Sequence, residues 1–211
     1  DMGVNMAGNC ICDDEACREA SKQEIIRRYF DALNALAKGS TSEKEAQKIE
    51  LLMNMAGITV TDRKVVIKAL ERAKETDGPA AALELRDGRI ITGKTTNLLG
   101  ASAALLLNVL KVLAGIDHET HIISPESIEP IQKLKVDYLK SKNPRFHTDE
   151  VLIALSASAA TNPQARLALS QLPELAGCQA HTSVMLSDVD IKIFKKLEVQ
   201  LTSEAVYEHA L

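Results

Sequence analysis

The 211-residue chain is long enough for one large core, or for a core with an added helical lobe. Its hydrophobic share of 45% and charged share of 26% exclude disordered and fibrous proteins. A net charge of −4, no basic tract and only 3% aromatic residues argue against nucleic acid as a partner. The longest apolar stretch, residues 98–110, is too short and too interrupted to span a membrane.

The four cysteines are Cys10, Cys12, Cys17 and Cys178, and no signal peptide precedes them. This pattern predicts a reduced, cytoplasmic protein rather than a disulfide framework. The three early cysteines are candidates for reactive thiols, although buried, inert thiols are more common. Because the chain opens with Asp1 and not with an initiator methionine, we expect it to be cut from a longer polypeptide.

Three helices are predicted at the start of the chain. The first runs from about residue 13 to residue 39 and has one apolar face at helical spacing. Ser42 and Glu45 form a capping-box pattern that opens the second, and Thr61 is predicted to cap the third. We expect residues 1–78 to form a helical lobe, or a connector to a missing N-terminal half.

After residue 78 the hydrophobic pattern changes. Residues 80–85 and 89–92 flank Asp87-Gly88, which is a strong signal for a β-hairpin. An apolar helix is predicted to follow at residues 97–114.

The rest of the chain alternates short strands with helices. The predicted elements are a strand at 120–123, a helix capped by Ser127 with Pro130 in its first turn, a helix capped by Thr148, another starting at Asn162-Pro163, a strand at 179–186, a helix opened by Ser187 and Asp190, and a strand at 199–203. The predicted fold is therefore α/β: a small mixed sheet, including a hairpin, covered by helices and preceded by a three-helix lobe. Residues 79–211 form the predicted α/β domain.

Residues 88–95 read Gly-Arg-Ile-Ile-Thr-Gly-Lys-Thr and match the phosphate-loop pattern G-x-x-x-x-G-K-[ST]. In a working loop the intervening residues are small, so that backbone amides can curl around phosphate. The β-branched residues here favour the return strand of the Asp87-Gly88 hairpin instead. Sequence alone leaves both interpretations open.

A weaker form of that prediction concerns Lys94, Thr95, Thr96 and Asn97. These residues are placed where a strand ends and a helix is predicted to begin. Free amides together with a lysine suit a phosphate or carboxylate, so the segment is a candidate anion site. The alternative is that Thr96 is simply the helix cap.

Histidine and cysteine pairs do not predict a metal site. His118 and His121, and likewise Cys178 and His181, are close in sequence, but such pairs bind zinc only if they converge in the fold. No metal is therefore assigned, and the sequence identifies no cofactor.

Two histidines are candidates for catalysis. His147 precedes a predicted helix whose cap, Thr148, and early acids need no functional explanation. His181 alternates with Ser183 on one face of a predicted strand, where a hydrogen-bonded structural pair is the alternative.

Several blocks together resemble one bacterial protein family, catalogued as domain of unknown function 1846. The similar blocks keep their order and spacing and are residues 1–10 (DMGVNMAGNC), 93–108, 128–131 (IEPI), 147–155 (HTDEVLIAL), 160–163 (ATNP) and 177–187. The resemblance covers nearly the whole chain.

The resemblance implies that this chain is the C-terminal part of a protein more than twice as long. It also implies that the missing N-terminal half is α/β and carries its own phosphate-loop-like segment. Some family members have been labelled ATP-dependent peptidases, but this sequence shows no zinc-protease helix motif and no recognisable protease nucleophile. The family supplies no catalytic residue to carry over.

Two functions from different classes are consistent with the sequence. In the first, the full protein is a small-molecule enzyme whose substrate or cofactor contains phosphate or a nucleotide, and this part lines the cleft with the N-terminal half. In the second, this part is an assembly module of a homo-oligomer, using the apolar residues 98–110 and 152–169. A third option is a structural half that only completes the fold of the other.

Overall fold

The computed structural model describes residues 13–208, and their packing separates a first unit that ends at Arg63 from a second that starts at Lys64. Each unit has its own helices, and the sheet lies in the second. The predicted division into residues 1–78 and 79–211 stays a prediction.

The first unit contains helices α1 (Asp14–Ala37) and α2 (Glu43–Ala56) and a 3-10 turn (Val60–Asp62). The carboxylate of Asp13 accepts a hydrogen bond from the amide of Ala16 at 2.9 Å, which caps α1 as predicted. The prediction that Thr61 caps the next helix is wrong. Thr59 occupies the cap position of the 3-10 turn, and its amide donates to the Asp62 carboxylate at 2.7 Å.

The second unit is built on a four-stranded sheet with strands β1 (Ala80–Glu84), β2 (Ile90–Lys94), β3 (Gln179–Thr182) and β4 (Gln200–Ser203) in the order β2-β1-β3-β4. The first two strands form the predicted antiparallel hairpin. β1 also pairs antiparallel with β3, while β3 and β4 are parallel, so the sheet is mixed. The α/β class with a hairpin and covering helices is confirmed.

Two helices cover opposite faces of the hairpin. Helix α3 (Lys64–Thr76) packs through Val65 and Ala69 on Ala82. Helix α4 (Ala101–Leu113) is buried over most of its length and packs on the face that carries Gly93. Because the helix axis comes so close to β2 at that residue, a side chain larger than hydrogen would meet the helix backbone.

The segment after α4 differs from the prediction. Residues 120–123 are not a strand, although Ile122 and Ile123 are buried. Helix α5 (Pro125–Lys133) begins after Ser124, so Ser127 is not its cap, and Pro130 lies inside the helix rather than in the first turn. A π-helical segment (Leu134–Tyr138) continues it.

The remaining helices are α6 (Thr148–Ala159), α7 (Pro163–Leu169) and α8 (Asp188–Lys196), with a 3-10 turn at Leu172–Leu175. Asn162 caps α7 and Ser187 caps α8 through their side chains, both as predicted. His147 and not Thr148 holds the cap position of α6, because Thr148 is already helical. Among residues 13–208, no helix is long and apolar enough to cross a membrane.

Candidate functional site

A pocket opens beside β2, the strand at the edge of the sheet. Helix α3 contributes Arg72, and α4 contributes Asn108 and Lys111. The amide side chain of Asn108 donates to the carbonyl of Thr92 at 2.9 Å, which satisfies a backbone acceptor of β2. The pocket therefore lies where the edge strand, two helices and the following loops meet.

The pocket has a volume of about 310 Å³, which is the size of a small-molecule site. Eight of its lining residues are aliphatic or aromatic: Leu98, Leu99, Ala104, Leu107, Ile122, Ile123, Ile128 and Phe146. Such a lining excludes water from the body of a bound molecule and strengthens any electrostatic contact made there.

The charged residues that line the pocket are all basic. Arg72, Lys94 and Lys111 line it, together with His118 and His121. Among the described residues that form the lining, none is an aspartate or a glutamate. Cations that converge on an apolar pocket without a lining carboxylate suit an anionic ligand.

Two of these cations, Arg72 and Lys111, already form hydrogen bonds within the protein. The guanidinium of Arg72 is bonded to Glu75 at 3.1 Å, yet its buried Nε has no hydrogen-bond partner within the described part of the chain. Lys111 donates from Nζ to the carbonyl of His118. Burial lowers the pKa of Lys111, against the opposing effect of the carboxylates of Glu119 and Asp117.

Two of the four predicted anion-site residues line this pocket. Lys94 and Thr96 are part of the lining, whereas Thr95 and Asn97 are not. The predicted helix start is wrong, because α4 begins at Ala101 and residues 95–100 form a loop. The hydroxyl of Thr96 accepts hydrogen bonds from the amides of Leu98 and Leu99, at 3.2 and 3.0 Å, and caps a loop turn instead of a helix.

The phosphate-loop pattern of residues 88–95 forms the turn and return strand of the hairpin. Gly88 has φ of +83° in the turn, where a glycine is favoured. A Cβ on Gly93 would lie 2.2 Å from the amide nitrogen of Leu105. The two glycines of the pattern are therefore explained by a turn and by helix packing.

A separate polar cluster joins the starts of α6 and α8. Nδ1 of His147 lies 3.0 Å from Oδ2 of Asp190, and the hydroxyl of Ser187 donates to the same oxygen at 2.8 Å. The amide and hydroxyl of Thr148 donate to Oδ1 at 2.9 and 2.8 Å. Asp190 is thus a buried carboxylate that accepts from four groups.

Hydrogen bonding decides the charge states in this cluster. Burial alone would raise the pKa of Asp190, but the bonds from His147, Thr148 and Ser187 outweigh it and lower the pKa to about 2. The same bond to Asp190 raises the pKa of His147, against burial and the nearby Lys135, which both lower it, while Glu150 raises it further. Lys135 is itself paired with Glu150 at 2.8 Å.

His181, the other catalytic candidate, is fully buried in β3. Its Nδ1 lies 2.8 Å from the hydroxyl of Thr202, and its Nε2 lies 3.2 Å from a carboxylate oxygen of Glu204. Ser183 accepts a hydrogen bond from the amide of Ala80 at 3.0 Å. Both ring nitrogens of His181 are occupied in the sheet, which is the arrangement of a structural histidine.

No group of three or more metal-ligating side chains converges within residues 13–208. Cys178 is buried, and burial raises the pKa of its thiol, which lowers its reactivity. Cys17 is partly exposed in α1. Cys10 and Cys12 lie outside the described residues.

Sequence reasoning missed three residues that shape these sites: Arg72, Lys111 and Asp190. Arg72 and Lys111 lie on helices with ordinary amphipathic or apolar patterns, so their convergence on β2 has no local signal. Asp190 belongs to the predicted capping pattern of α8, and it lies 43 positions after His147 in the sequence.

The chain belongs to the DUF1846 family, whose members carry domains of unknown function. The model of its C-terminal domain matches residues 61–211, and the model of its N-terminal domain matches residues 1–57. The predicted family is confirmed, and the chain also extends into the N-terminal domain.

The similar curated proteins are named only UPF0371 proteins. One from Corynebacterium aurimucosum is 59% identical over 98% of this chain, and one from Corynebacterium diphtheriae is 54% identical over 99%. One from Streptococcus thermophilus is 49% identical over 99%. This chain spans 42% of the length of each of these relatives.

Proposed function

We propose that this part of the protein binds a small molecule that has an anionic group, a phosphate or a carboxylate, and an apolar body. The observation that carries the proposal is the pocket beside β2, which is lined by basic and by apolar residues and by no acidic one among the described residues. Lys94 is exposed and has no ion-pair partner among the described residues, so its charge is available to a ligand. The proposal retains the predicted roles of Lys94 and Thr96, and it takes no part from Thr95 and Asn97.

The pocket also favours particular members of this ligand class. Its volume of about 310 Å³ fits a compact molecule such as an aryl or nucleoside monophosphate better than a large cofactor. Arg72 and Lys111 approach from two different helices, so a phosphate between them is contacted on more than one side.

Replacement of Lys94 by methionine is expected to weaken phosphate-ligand binding about tenfold or more, since a charged hydrogen bond is worth roughly 1.5–3 kcal/mol. Lys111→Met is expected to act in the same direction. Isothermal titration and thermal shift of the full-length protein with inorganic phosphate, nucleoside monophosphates and phenyl phosphate would measure this. Binding should also weaken as the pH rises through the lowered pKa of Lys111.

Lys68→Met is the matched control, because Lys68 is exposed on α3 and, within residues 13–208, pairs only with its neighbour Glu71. Its ligand affinity should equal that of the unmodified protein. Equal affinity in the Lys94 and control variants, or no rise in melting temperature with any of these ligands, would contradict the proposal.

The alternative function, an assembly module of a homo-oligomer, has less support from the fold. Most of the predicted contact helix, residues 98–110, is buried in the core of the second unit as α4. Exposed apolar side chains do occur on α6 and α7, at Ile153 and Leu167. Oligomerisation, like the contribution of a missing N-terminal half to the ligand site, stays a prediction.

A further inference from the structure

Helix α4 presents one stripe of side chains to the pocket beside β2. Ala104, Leu107, Asn108 and Lys111 all line the pocket, and their spacing of three and four residues places them on one face of the helix. Ala104 and Leu107 belong to the apolar part of the lining, and Lys111 is one of the cations. Asn108 is the uncharged polar residue of the stripe, and it has no role in the anion-binding function proposed above.

The side-chain amide of Asn108 has a fixed orientation. Its Nδ2 donates to the backbone carbonyl of Thr92 at 2.9 Å. Because a carbonyl oxygen can only accept, turning the amide over would bring two acceptor oxygens together. The NH₂ group therefore faces the strand, and Oδ1 is the atom that is left for another partner.

Oδ1 of Asn108 has no partner in the described part of the chain. No donor within residues 13–208 forms a hydrogen bond with it. The buried side-chain atoms that lack a partner there are Nε of Arg72 and Oγ1 of Thr95, so Oδ1 is unpaired without being buried. An accessible, unpaired acceptor on a residue that lines the pocket is available to a ligand.

The hydroxyl groups of the lining are less selective than this oxygen. Those of Thr92 and Thr120 can donate as well as accept, so they are compatible with either kind of ligand group. The hydroxyl of Thr96 already accepts from the amides of two neighbouring residues. Oδ1 of Asn108 can only accept, so it selects a ligand group that donates.

Extending the proposed anion site, on which this inference rests, we propose that the ligand of the pocket carries a hydroxyl or N–H group on its apolar body and that Asn108 recognises this group. Asn108 and Lys111 are one turn apart on α4, which places their Cβ atoms about 5–6 Å from each other. The donor and the anionic group are therefore close enough to be carried by one aromatic ring, as in an aminophenyl or hydroxyphenyl phosphate.

Desolvation determines which ligands this acceptor would separate. Removing an amino group from water costs more free energy than removing a methyl group of similar size. A pocket without an acceptor therefore prefers the methyl compound. An acceptor in the right place reverses that order, because the amino group regains its hydrogen bond.

The test compares p-aminophenyl phosphate with p-tolyl phosphate by isothermal titration of the full-length protein. The unmodified protein is expected to bind the amino compound about fivefold to tenfold more tightly, which is the usual contribution of a neutral hydrogen bond. In Asn108→Leu, which keeps the branching of the side chain but has no acceptor, this preference should disappear while p-tolyl phosphate still binds. Asn108→Ala, which adds no bulk beside the strand, should lose the preference in the same way.

Asn54→Leu is the matched control, because it makes the same exchange at an exposed position of α2 and should keep the preference. If neither compound binds to the unmodified protein, the anion site and the role of Asn108 are both wrong. If p-tolyl phosphate binds as tightly as the amino compound, or if the preference persists in the Asn108 variants, the anion site stands and the role of Asn108 is overturned.

Discussion

Gly93→Ala is expected to lower the free energy of unfolding by about 3 kcal/mol or more, because overpacking against fixed backbone cannot be relieved by a rotamer change. The added Cβ would lie 2.2 Å from the amide nitrogen of Leu105, 2.5 Å from its Cα and 2.9 Å from the carbonyl oxygen of Ala101. Relief would require α4 to move away from β2. Since α4 fills much of the core, that movement would also open contacts on its other faces.

Urea denaturation followed by circular dichroism would measure the difference, and Gly78→Ala is the control. At Gly78 the nearest atom to an added Cβ would be 3.8 Å away, so that variant should stay within about 0.5 kcal/mol of the unmodified protein. Equal stabilities for the two variants would show that α4 does not lie as close to the strand as described.

The same residue shows why a motif match can mislead. Gly93 is the second glycine of the phosphate-loop pattern in residues 88–95, but its small size is needed against α4. The β-branched residues Ile90, Ile91 and Thr92 favour a strand, and they lie in β2. Side-chain shape therefore predicted the local structure better than the spacing of glycine and lysine.

Local signals predicted the elements that depend on local chemistry. Asp87-Gly88 predicted the hairpin, and Asn162 and Ser187 predicted the starts of α7 and α8. These predictions succeeded because turns and caps are formed by residues that are neighbours in sequence. The predictions were wrong where contacts between residues distant in sequence determine the local structure. Ile122 and Ile123 are buried without belonging to a strand, and Thr96 caps a loop turn before α4 begins.

The candidate sites were predictable only in part, for the same reason. Lys94 follows the apolar residues of a strand, so its position at the end of the strand could be inferred from the sequence. The convergence of Arg72 and Lys111 with it depends on how α3 and α4 cross the hairpin, which no short pattern encodes. Likewise, His147 was a candidate, but Asp190, which orients its ring, comes from a different helix.

Asp190→Asn is expected to lower the free energy of unfolding by about 2 kcal/mol near pH 6, which is the linkage value of a pKa lowered from 3.8 to about 2. The asparagine side chain is uncharged, so it would accept weaker hydrogen bonds from Thr148, Ser187 and His147 than the carboxylate does. Its NH₂ group would also face these donors. Asp188→Asn, exposed in the same helical turn, is the control and should change stability by less than about 0.5 kcal/mol.

The pH dependence of this difference follows from the two opposite pKa shifts. The pKa of Asp190 is lowered in the folded state, so its contribution is complete above 3.8 and is lost as the pH falls toward 2. The pKa of His147 is raised above 6.5, so the ion-pair contribution is complete below 6.5 and is lost as the pH rises through the folded value. The stability gap between the unmodified protein and Asp190→Asn should therefore be widest between about pH 4 and 6.5. A gap that is flat from pH 2 to pH 9 would mean that Asp190 is not ionised beside His147 in the folded protein.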